Sequence, residues 1–382
     1  MKILYHHRTK SRDGQAVHIR ELITAFRSRG HLVNECALSP VFGENAEGEM
    51  GGGRLKWGGW LTSAPSFFYE LAEHAYGPLT ARRLTGLGKK MGADFIYERH
   101  ALNNTAGLRA ARSLGVPLFL EVNSPLAVEQ ETYGSLTFQR WAERCEKRVL
   151  CGADHVLCVT RVLADMLIGV GVSPERISVI PNGVDLSLYP DPGGAGGERA
   201  VVGFTGFFRP WHQVEGLVDS LAEGILPLGT QLLLVGDGPS MPQIQSRVTD
   251  RKLDDSVEMT GAVSRSEIPP LLKKMDIAVQ PAATPWASPL KLFEYMAAGL
   301  AVVAPDQENI REVIAHEENG LLFDPGDPEA MPSAVARLAE DRLLREELGK
   351  SGRATIESRE FTWLANACRL EELASSTREG KR

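Results

Sequence analysis

The feature that most constrains this chain is an alternation of short apolar segments with amphipathic helical patterns, and the alternation occurs twice. The first half contains the strand-like segments KILYHH, DFIYER, PLFLEV and HVLCVT. The second half contains the strand-like segments AVVGFTG, QLLLVGDG, VEMTG, IAVQPA and AVVAP. Alternation of this kind predicts parallel sheets covered by helices. The sequence therefore predicts an α/β protein with two doubly wound domains.

A break in composition separates the two halves. The segment YPDPGGAGGERA, near residue 190, has four glycines and two prolines and is typical of a linker. The predicted organisation is a first domain at 1–188, a linker at 189–199 and a second domain at 200–360. A length of 382 residues suits two domains better than one.

Composition and charge exclude several classes of protein. No apolar run approaches the roughly 18 residues of a membrane span, and the start MKILYHH turns polar too early for a signal peptide. The five cysteines lack metal-ligand spacing, and their odd number fits reduced thiols in the cytoplasm. The net charge is −7, divided into +3 over residues 1–190 and −10 over the remainder. The acidic second half argues against a nucleic-acid partner.

Glycines and polar residues follow the predicted strands in both halves. They occur in RTKSRDG, GFFRPWH, GDGP, TGAVS and ATPWASPLK. Ligands of open parallel sheets bind beyond the carboxyl ends of the strands. If the two edges face each other, they form one cleft lined by both domains.

The stretch SPLKLFEYMAAGLAVVAP predicts a helix that ends at Gly299 and a strand at residues 301–304. Ser288 and Pro289 suit a helix cap and first turn. Lys291 opposes the helix dipole there unless an anion lies between them. Glu294, one turn into the helix, could accept hydrogen bonds from ribose hydroxyls. The alternatives are that Lys291 points to water and that Glu294 only favours the helix start.

The loop GFFRPWH adds Arg209 and His212 after the first strand of the second half. Two potential cations in this loop, together with Lys291 and a helix N-terminus, suit a phosphate or diphosphate. Arg209 could equally be an ordinary loop residue. GDGP lacks the three spaced glycines of the dinucleotide fingerprint. The chain has no Asp-x-Asp, so no metal-held diphosphate is expected.

The ordered motifs resemble glycosyltransferase family 4, the retaining GT-B glycosyltransferases, over nearly the whole chain. The resemblance rests on RDGQAVHIRELITAFRSRGHLV, ADHVLCVTRVLADML, ISVIPNGVDLSLY, VVGFTGFFRPWHQVEGL, LLLVGDGP, VEMTGAVSRSEIPPLLKKMDIAV and SPLKLFEYMAAGLAVVAPDQENIREVIAHEENGLLFDPGD. It implies two Rossmann-like domains facing across a cleft, with a helix at 361–382 that crosses back to the first domain. The first domain would bind the acceptor, and the second would bind the nucleotide sugar.

The resemblance also implies the donor-binding residues. Glu294 matches the family's second glutamate, which binds ribose, whereas Trp286 stands eight positions earlier, where the family has a glutamate that grips the donor sugar. The backbone of Gly14 would approach the diphosphate, and the backbone near Gly261 would contact the base. The full donor-binding set is Gly14, Gly206, Arg209, Gly261, Ala262, Val263, Ser288, Pro289, Leu290, Lys291 and Glu294.

Two further departures from the family pattern bear on catalysis. Phe207 and His212 stand where the family has Arg and Lys. We expect Arg209 to supply the guanidinium and His212 to replace the lysine, which would make leaving-group stabilisation depend on His protonation. The predicted catalytic residues are Arg209, His212, Lys291 and Glu294.

The acceptor side differs as well. Asn123 stands where many members have a histidine near the reacting sugar. Arg99 and His100, in YERHALNN, could face the acceptor instead. A core or salt-bridged role is the alternative for both residues.

The implied reaction moves a sugar from a nucleotide sugar (UDP-, GDP- or similar) to a glycan, lipid-linked or small-molecule acceptor. The anomeric configuration is retained, and no bound cofactor or metal takes part. Such a protein would serve polysaccharide, glycolipid or glycoconjugate biosynthesis. The rival hypotheses are a nucleotide-sugar epimerase and a catalytically silent GT-B protein that binds nucleotide or sugar.

Residues 57–91 suggest a weak peripheral membrane contact. Five aromatic residues are followed by four basic ones: Trp57, Trp60, Phe67, Phe68, Tyr69, Arg82, Arg83, Lys89 and Lys90. Aromatic groups beside a basic cluster can sit at an anionic bilayer surface. The alternative is that the aromatic groups pack the edge of the first domain and that the basic residues form a solvated face.

Overall fold

The computed structural model describes residues 1–9, 14–42, 66–133, 136–194, 196–197 and 199–379. The strands are β1 (Lys2–His7), β2 (Leu32–Ala37), β3 (Phe95–Arg99), β4 (Leu118–Val122), β5 (His155–Cys158), β6 (Ile177–Val179), β7 (Val201–Thr205), β8 (Gln231–Val235), β9 (Val257–Met259), β10 (Ile277–Val279), β11 (Ala301–Pro305) and β12 (Leu321–Phe323). The helices are α1 (Gly14–Ser28), α2 (Ser66–Met91), α3 (Ala106–Leu114), α4 (Leu126–Tyr133), α5 (Gln139–Gly152), α6 (Arg161–Val170), α7 (Glu215–Ala222), α8 (Met241–Asp250), α9 (Ile268–Leu272), α10 (Leu290–Ala297), α11 (Glu308–Arg311), α12 (Ala330–Glu340), α13 (Arg342–Ser358) and α14 (Trp363–Glu379).

The chain forms two compact units. The second unit contains Asn182–Thr362, whereas the first contains the described residues before Asn182 together with α14. In the first unit, the edge of the His18 ring lies against Trp363 of α14, with 4.9 Å between ring centroids. Arg29 forms an ion pair with Glu371 of the same helix. The C-terminal helix therefore packs on α1.

Each unit is built on a six-stranded parallel sheet. The first sheet has the order β2-β1-β3-β4-β5-β6, and the second has the order β12-β11-β10-β7-β8-β9. Every strand segment expected from the sequence is present. The additional strands β2, β6 and β12 lie at sheet edges.

The strand order fixes where a ligand site is expected. In the second sheet, β7 pairs with β8 on one side and with β10 on the other. Successive strands are added outward from β7 in opposite directions, so the switch point lies between β7 and β10. Crevices at the carboxyl ends of strands next to a switch point are the usual ligand sites of such sheets. The loop after β7 and the connection from β10 to α10 meet this condition.

Residues 189–199, expected as a linker, lie in the second unit. Tyr189 is 4% exposed and belongs to the apolar core of this unit. The N–H of Gly193 donates to the carbonyl of Ala298. The Asp276 carboxylate accepts N–H groups from Gly196 and Val201. A glycine-rich composition therefore gives a segment that is tied down through its backbone.

Helix α10, near the switch point, is deeply buried. All six residues from Leu292 to Ala297 are buried, including Glu294 and Tyr295. Gly299 ends the helix in a left-handed conformation with φ +72°, as the sequence predicts. Gly349 of α13 packs directly on this turn, because a Cβ at residue 349 would lie 2.2 Å from the Gly299 carbonyl oxygen.

The predicted membrane-contact segment is only partly described. Trp57 and Trp60 lie outside the described residues, as do the side chains of Phe67, Phe68 and Tyr69. The four basic residues, all exposed on the second half of α2, are Arg82, Arg83, Lys89 and Lys90. Within the described ranges, no helix has both the length and the apolar character needed to cross a bilayer.

Gly349→Ala should destabilise the protein by about 1–3 kcal/mol, because the added methyl group has to displace the Gly299 backbone. The measurement is the free energy of unfolding in urea. Gly216→Ala is the matched control in α7, where the new methyl group meets only the mobile end of Met331 at 3.3 Å. We expect the control to remain within about 0.5 kcal/mol of the wild type. Equal effects of the two substitutions would contradict the close packing of α13 on α10.

Candidate functional site

Two connections at the switch point bring the predicted residues of the second unit together. The first is the loop after β7, which contains Gly206, Arg209 and His212. The second leads from β10 to α10 and carries Lys291 on the first turn of that helix. The two connections are joined by Tyr295, whose hydroxyl accepts the N–H of Thr205 at 2.8 Å. The end of β7 is therefore fixed against α10.

Lys291 lies between the Phe204 ring and the Gly206 backbone. Its Nζ atom is 4.0 Å from the centroid of the ring. A Cβ added at Gly206, where φ is +147°, would come within 2.9 Å of that Nζ. The site therefore requires glycine at 206, because only glycine combines this φ with such close approach.

The Lys291 ammonium group is buried and has no hydrogen-bonding partner in the described part of the chain. Burial lowers the pKa of Lys291 to about 7, although the nearby Glu294 charge acts in the opposite direction. A buried cation that has no hydrogen-bonding partner among the described residues is suited to an anionic ligand. The sequence alternative in which Lys291 points to water is therefore wrong.

His212 is neutral at physiological pH. Burial lowers its pKa to about 3, and the charges of Lys291 and Arg209 add to this effect, while a hydrogen bond to the Phe207 carbonyl opposes it. The Nδ1 atom accepts the N–H of Arg209 at 3.5 Å, and the ring lies 5.5 Å from Phe204. The expectation that leaving-group stabilisation depends on a protonated His212 does not hold for this arrangement. A neutral imidazole instead holds the loop in shape.

Arg209 is half-buried, and its guanidinium carbon lies 5.0 Å from the centroid of the Phe207 ring. The backbone of Arg209 is extended, and the next three residues form a single 3₁₀ turn that begins at Pro210. Proline at the first position of a helical turn fixes the turn without losing a needed donor. The guanidinium thus lies on the same short loop as Gly206 and His212.

The glycines of GDGP support this loop. A Cβ at Gly236 (φ +128°) would lie 1.9 Å from the Gly206 carbonyl oxygen, and a Cβ at Gly238 (φ +158°) would lie 2.4 Å from the Phe208 carbonyl oxygen. Phe208 also donates its N–H to the Asp237 carbonyl at 2.8 Å. These glycines therefore let two loops pack backbone to backbone. The Gly-x-Gly directly after a strand was the available signal for this role.

The turn before α10 is held by Asn182, a residue that is distant along the chain. The Asn182 side chain donates to the Ser288 carbonyl at 2.5 Å, and the Asn182 N–H reaches the Ser288 hydroxyl at 3.4 Å. Pro289, not Ser288, occupies the cap position, and the expected side-chain cap is absent from α10. The prediction that Ser288 caps the helix was wrong, and the Ser288 oxygens accept hydrogen bonds from Asn182 instead. Leu290 is the first helical residue.

Upstream of this turn, Asn309 stabilises the chain around Trp286. Its side-chain amide donates to the carbonyls of Thr284 and Ala287 at 3.1 and 2.7 Å. Trp286, which stands where the family has its first glutamate, is half-buried.

Glu294 and the loop after β9 form the second part of the site. The Glu294 side chain is 8% exposed and forms an ion pair with Arg265. Gly261 has φ +68° and pairs with Gly236 through its carbonyl, at 3.1 Å. Ala262 is exposed, while Val263 packs against the core that contains α10. The sequence did not indicate Arg265, because its partner lies about thirty residues away in the chain.

The predicted acceptor-side residues lie in the first unit and are largely engaged there. Arg99 forms an ion pair with buried Glu121, and the Asn123 side-chain amide donates to the same carboxylate at 2.5 Å. His18 reaches Glu121 at 3.2 Å. Burial raises the pKa of Glu121, but the His18 and Arg99 charges and the hydrogen bonds outweigh it and hold the pKa well below its usual range. The salt-bridged alternative therefore describes Arg99.

His100 is likewise engaged, since its Nε2 lies 3.1 Å from a carboxylate oxygen of Glu146. Gly14 is exposed and is the first residue of α1. Among the described residues, no three His, Cys, Asp or Glu side chains converge as metal ligands. All five cysteines are free, and Cys36, Cys145 and Cys158 are buried.

Comparison with known families gives two matches that follow one another along the chain. The family described as Glycosyltransferase Family 4 matches residues 12–188. The family described as Glycosyl transferases group 1 matches residues 199–341.

Individual relatives and structures agree with these matches. The alpha-maltose-1-phosphate synthase of Mycolicibacterium smegmatis is 30% identical over 302 residues, which are 71% of this chain and 76% of the relative. The UDP-Gal:alpha-D-GlcNAc-diphosphoundecaprenol alpha-1,3-galactosyltransferase of Escherichia coli is 27% identical over 278 residues, 67% of this chain and 69% of the relative. The crystal structure of HepE from Anabaena with UDP and glucose has a TM-score of 0.71 at 20% identity, covering 98% of this chain and 100% of HepE. The structural likeness shows a shared fold.

Lys291→Met should change how stability depends on pH. The pKa of Lys291 in the folded chain, about 7, lies below its ordinary value of 10.5, so the unfolded chain binds more protons between these values. The wild-type free energy of unfolding should therefore rise with pH above 7, by at most about 1.4 kcal/mol per pH unit relative to Lys291→Met.

The measurement for this prediction is a series of urea unfolding curves from pH 6 to pH 9.5. Lys274→Met is the control, because that lysine is 59% exposed in the same unit. Parallel pH profiles for the wild type and Lys291→Met would show that the ammonium group is not buried in solution.

Proposed function

Since this chain belongs to glycosyltransferase family 4, we propose that it transfers a sugar from a nucleotide sugar to an acceptor hydroxyl with retention of anomeric configuration. The observation that carries the donor assignment is the buried Lys291 ammonium, which has no hydrogen-bonding partner in the described structure and lies against the Gly206 backbone at the switch point of the second sheet. The fold is GT-B, with a Rossmann-like sheet in each unit.

The donor would bind along the carboxyl edge of the second sheet. Lys291, Arg209 and the Gly206 backbone would contact the diphosphate. Glu294 would accept hydrogen bonds from the ribose hydroxyls. The backbone of Gly261, Ala262 and Val263 would lie along the base, with Ser288, Pro289 and Leu290 closing the site at the helix start. Gly14 would contribute its backbone.

The chemistry would be mainly electrostatic. The bond from the anomeric carbon to the diphosphate oxygen breaks, and the bond to the acceptor oxygen forms on the same face of the sugar. The acceptor proton passes to the leaving diphosphate, so the products are a glycoside and a nucleoside diphosphate. Lys291 and Arg209 would stabilise the negative charge that develops on the leaving group. His212 would keep the loop in place as a neutral ring.

Donor and acceptor classes follow from the relatives' names. The Escherichia coli relative uses UDP-galactose and a lipid-linked diphosphate acceptor, and the Mycolicibacterium smegmatis relative makes a sugar phosphate. We therefore propose a UDP- or GDP-type sugar as donor and a glycan, lipid-linked or phosphorylated sugar as acceptor. Arg99, His100 and Asn123 would act on the acceptor side by shaping the sheet edge of the first unit. The reaction would belong to cytoplasmic polysaccharide or glycoconjugate synthesis.

A donor panel tests the proposed function. UDP-glucose, UDP-galactose, UDP-N-acetylglucosamine and GDP-mannose are incubated with and without an acceptor mixture. Release of nucleoside diphosphate that depends on the acceptor supports transfer, and the anomeric configuration of the product tests retention. An altered sugar still joined to its nucleotide would indicate an epimerase, whereas binding without turnover would indicate a silent protein. The Escherichia coli relative is named a galactosyltransferase, which favours transfer over both rivals.

Arg209→Ala should lower kcat by about 10²–10³, because the variant lacks one donor to the developing charge. The thermal midpoint should stay close to that of the wild type, since the side chain is half-buried on a loop. Arg337→Ala is the matched control, because it breaks an exposed ion pair with Glu317 in the same unit. Full kcat in Arg209→Ala would make Arg209 an ordinary loop residue.

We also propose weak, reversible membrane contact through the basic end of α2. The exposed residues Arg82, Arg83, Lys89 and Lys90 should bind anionic vesicles at low salt, each adding about 1 kcal/mol. Co-sedimentation with phosphatidylserine vesicles, compared with neutral vesicles, measures this binding. A variant with all four residues changed to Gln should stay in the supernatant. A wild-type protein that stays in the supernatant at low salt would favour a soluble acceptor.

A further inference from the structure

Lys291 and Glu294 are three residues apart on α10, a spacing at which opposite charges ordinarily pair. In this structure they do not pair. The Lys291 Nζ has no hydrogen-bonding partner within the described residues, and the Glu294 carboxylate forms its ion pair with Arg265. Arg265, which lies on another loop, therefore pairs with the Glu294 carboxylate that Lys291 would otherwise reach.

We infer that Arg265 is a positioning residue of the donor site, which holds Glu294 toward the ribose and thereby keeps Lys291 free for the diphosphate. The inference rests on the proposed function. In this inference, Arg265 keeps the opposite charges of Lys291 and Glu294 apart, so that each can contact a different part of the ligand. Arginine suits this role because its planar guanidinium pairs with a carboxylate in a fixed geometry.

The backbone that carries Arg265 is held firmly. Ser264 donates its N–H to the Glu267 carboxylate at 2.8 Å, and its hydroxyl donates to the same oxygen at 2.5 Å. This reciprocal capping box fixes the 3₁₀ turn that begins at Arg265. The chain before the turn is fixed as well, because Val263 packs into the core.

Burial of the pair supports a positioning role. The side chain of Glu294 is 8% exposed and that of Arg265 is 24% exposed, so the pair lies mostly out of water. Arg265 is paired with Oε1 of Glu294, and in this inference the ligand hydroxyl would meet the other carboxylate oxygen. A carboxylate that is deeply buried and has lost its partner would turn to another cation, because an unpaired buried charge is costly. Lys291 is such a cation, since it lies three residues earlier on the same helix and the Glu294 charge already acts on it.

The charged groups around Lys291 favour its pairing with Glu294 when Arg265 is lost. Glu294 on its own helix raises the pKa of Lys291, and His212 from the loop after β7 feels the Lys291 charge. Arg265 is paired with the Glu294 carboxylate. Loss of the Arg265 charge should therefore join Lys291 to Glu294 and remove both from ligand contact.

Two measurements test the inference with Arg265→Gln, Glu294→Gln and the double variant. The first is calorimetric binding of UDP and GDP. Arg265→Gln should weaken binding of the preferred nucleotide at least tenfold, and adding Glu294→Gln should restore part of that loss, because Lys291 then has no carboxylate to pair with. Arg337→Gln, which breaks an exposed Arg–Glu pair in the same unit, should bind as the wild type does.

The second measurement needs no ligand. The rise in wild-type stability above pH 7 that comes from Lys291 should vanish in Arg265→Gln, since pairing with Glu294 keeps the lysine protonated. It should return in the double variant. Wild-type binding and wild-type pH dependence in Arg265→Gln would overturn the inference, as would independent, additive losses from the two substitutions. Failure of the wild type itself to bind any nucleotide would count against the proposed function, while the pH profiles would still decide the role of Arg265.

Discussion

The buried ammonium group of Lys291 is the constraint on which the rest of the donor site depends. Its Nζ lies against the Phe204 ring and the Gly206 backbone, without a hydrogen-bonding partner among the described residues. Burying such a cation is costly, and the cost appears as a pKa lowered to about 7. A fold keeps an arrangement of this kind where a ligand supplies the missing negative charge. Two features fit this explanation. His212 is neutral, and the Glu294 carboxylate is paired with Arg265, so neither side chain supplies a negative charge to Lys291.

Close backbone contacts make this arrangement possible. Gly206, Gly236 and Gly238 let the loops after β7 and β8 touch without side chains between them. The end of β7 is also fixed to α10, because the Tyr295 hydroxyl accepts the N–H of Thr205. Glycines that look like simple turn residues therefore set the distance between the loop and the helix. A methyl group at any of the three positions would push the loop away from Lys291 or from its neighbouring loop.

The sequence predicts the central strands and α10 because they are continuous apolar runs with clear ends. The missed strands β2, β6 and β12 lie at sheet edges. In β2 the polar residues Asn34 and Glu35 interrupt the apolar pattern, and β6 is only half-buried along its length. The types and positions of Arg209 and Lys291 in the sequence indicate an anion site, and Glu294 indicates an acceptor for hydroxyl groups. The contacts that hold this region come from residues distant in the chain, since Asn182 binds Ser288 and Arg265 pairs with Glu294. The charge of His212 was misjudged because burial and neighbouring cations cannot be read from a loop sequence.

Proton uptake on nucleotide binding tests the central claim most directly. If the Lys291 ammonium receives the diphosphate, a lysine that is mostly neutral at pH 8 must become protonated when the ligand binds. Calorimetry of UDP and GDP binding at pH 8, in buffers of different ionisation enthalpy, counts the protons taken up. We predict an uptake of about one proton in the wild type and none in Lys291→Met. Binding by the wild type without proton uptake would contradict the assignment of Lys291 to the diphosphate.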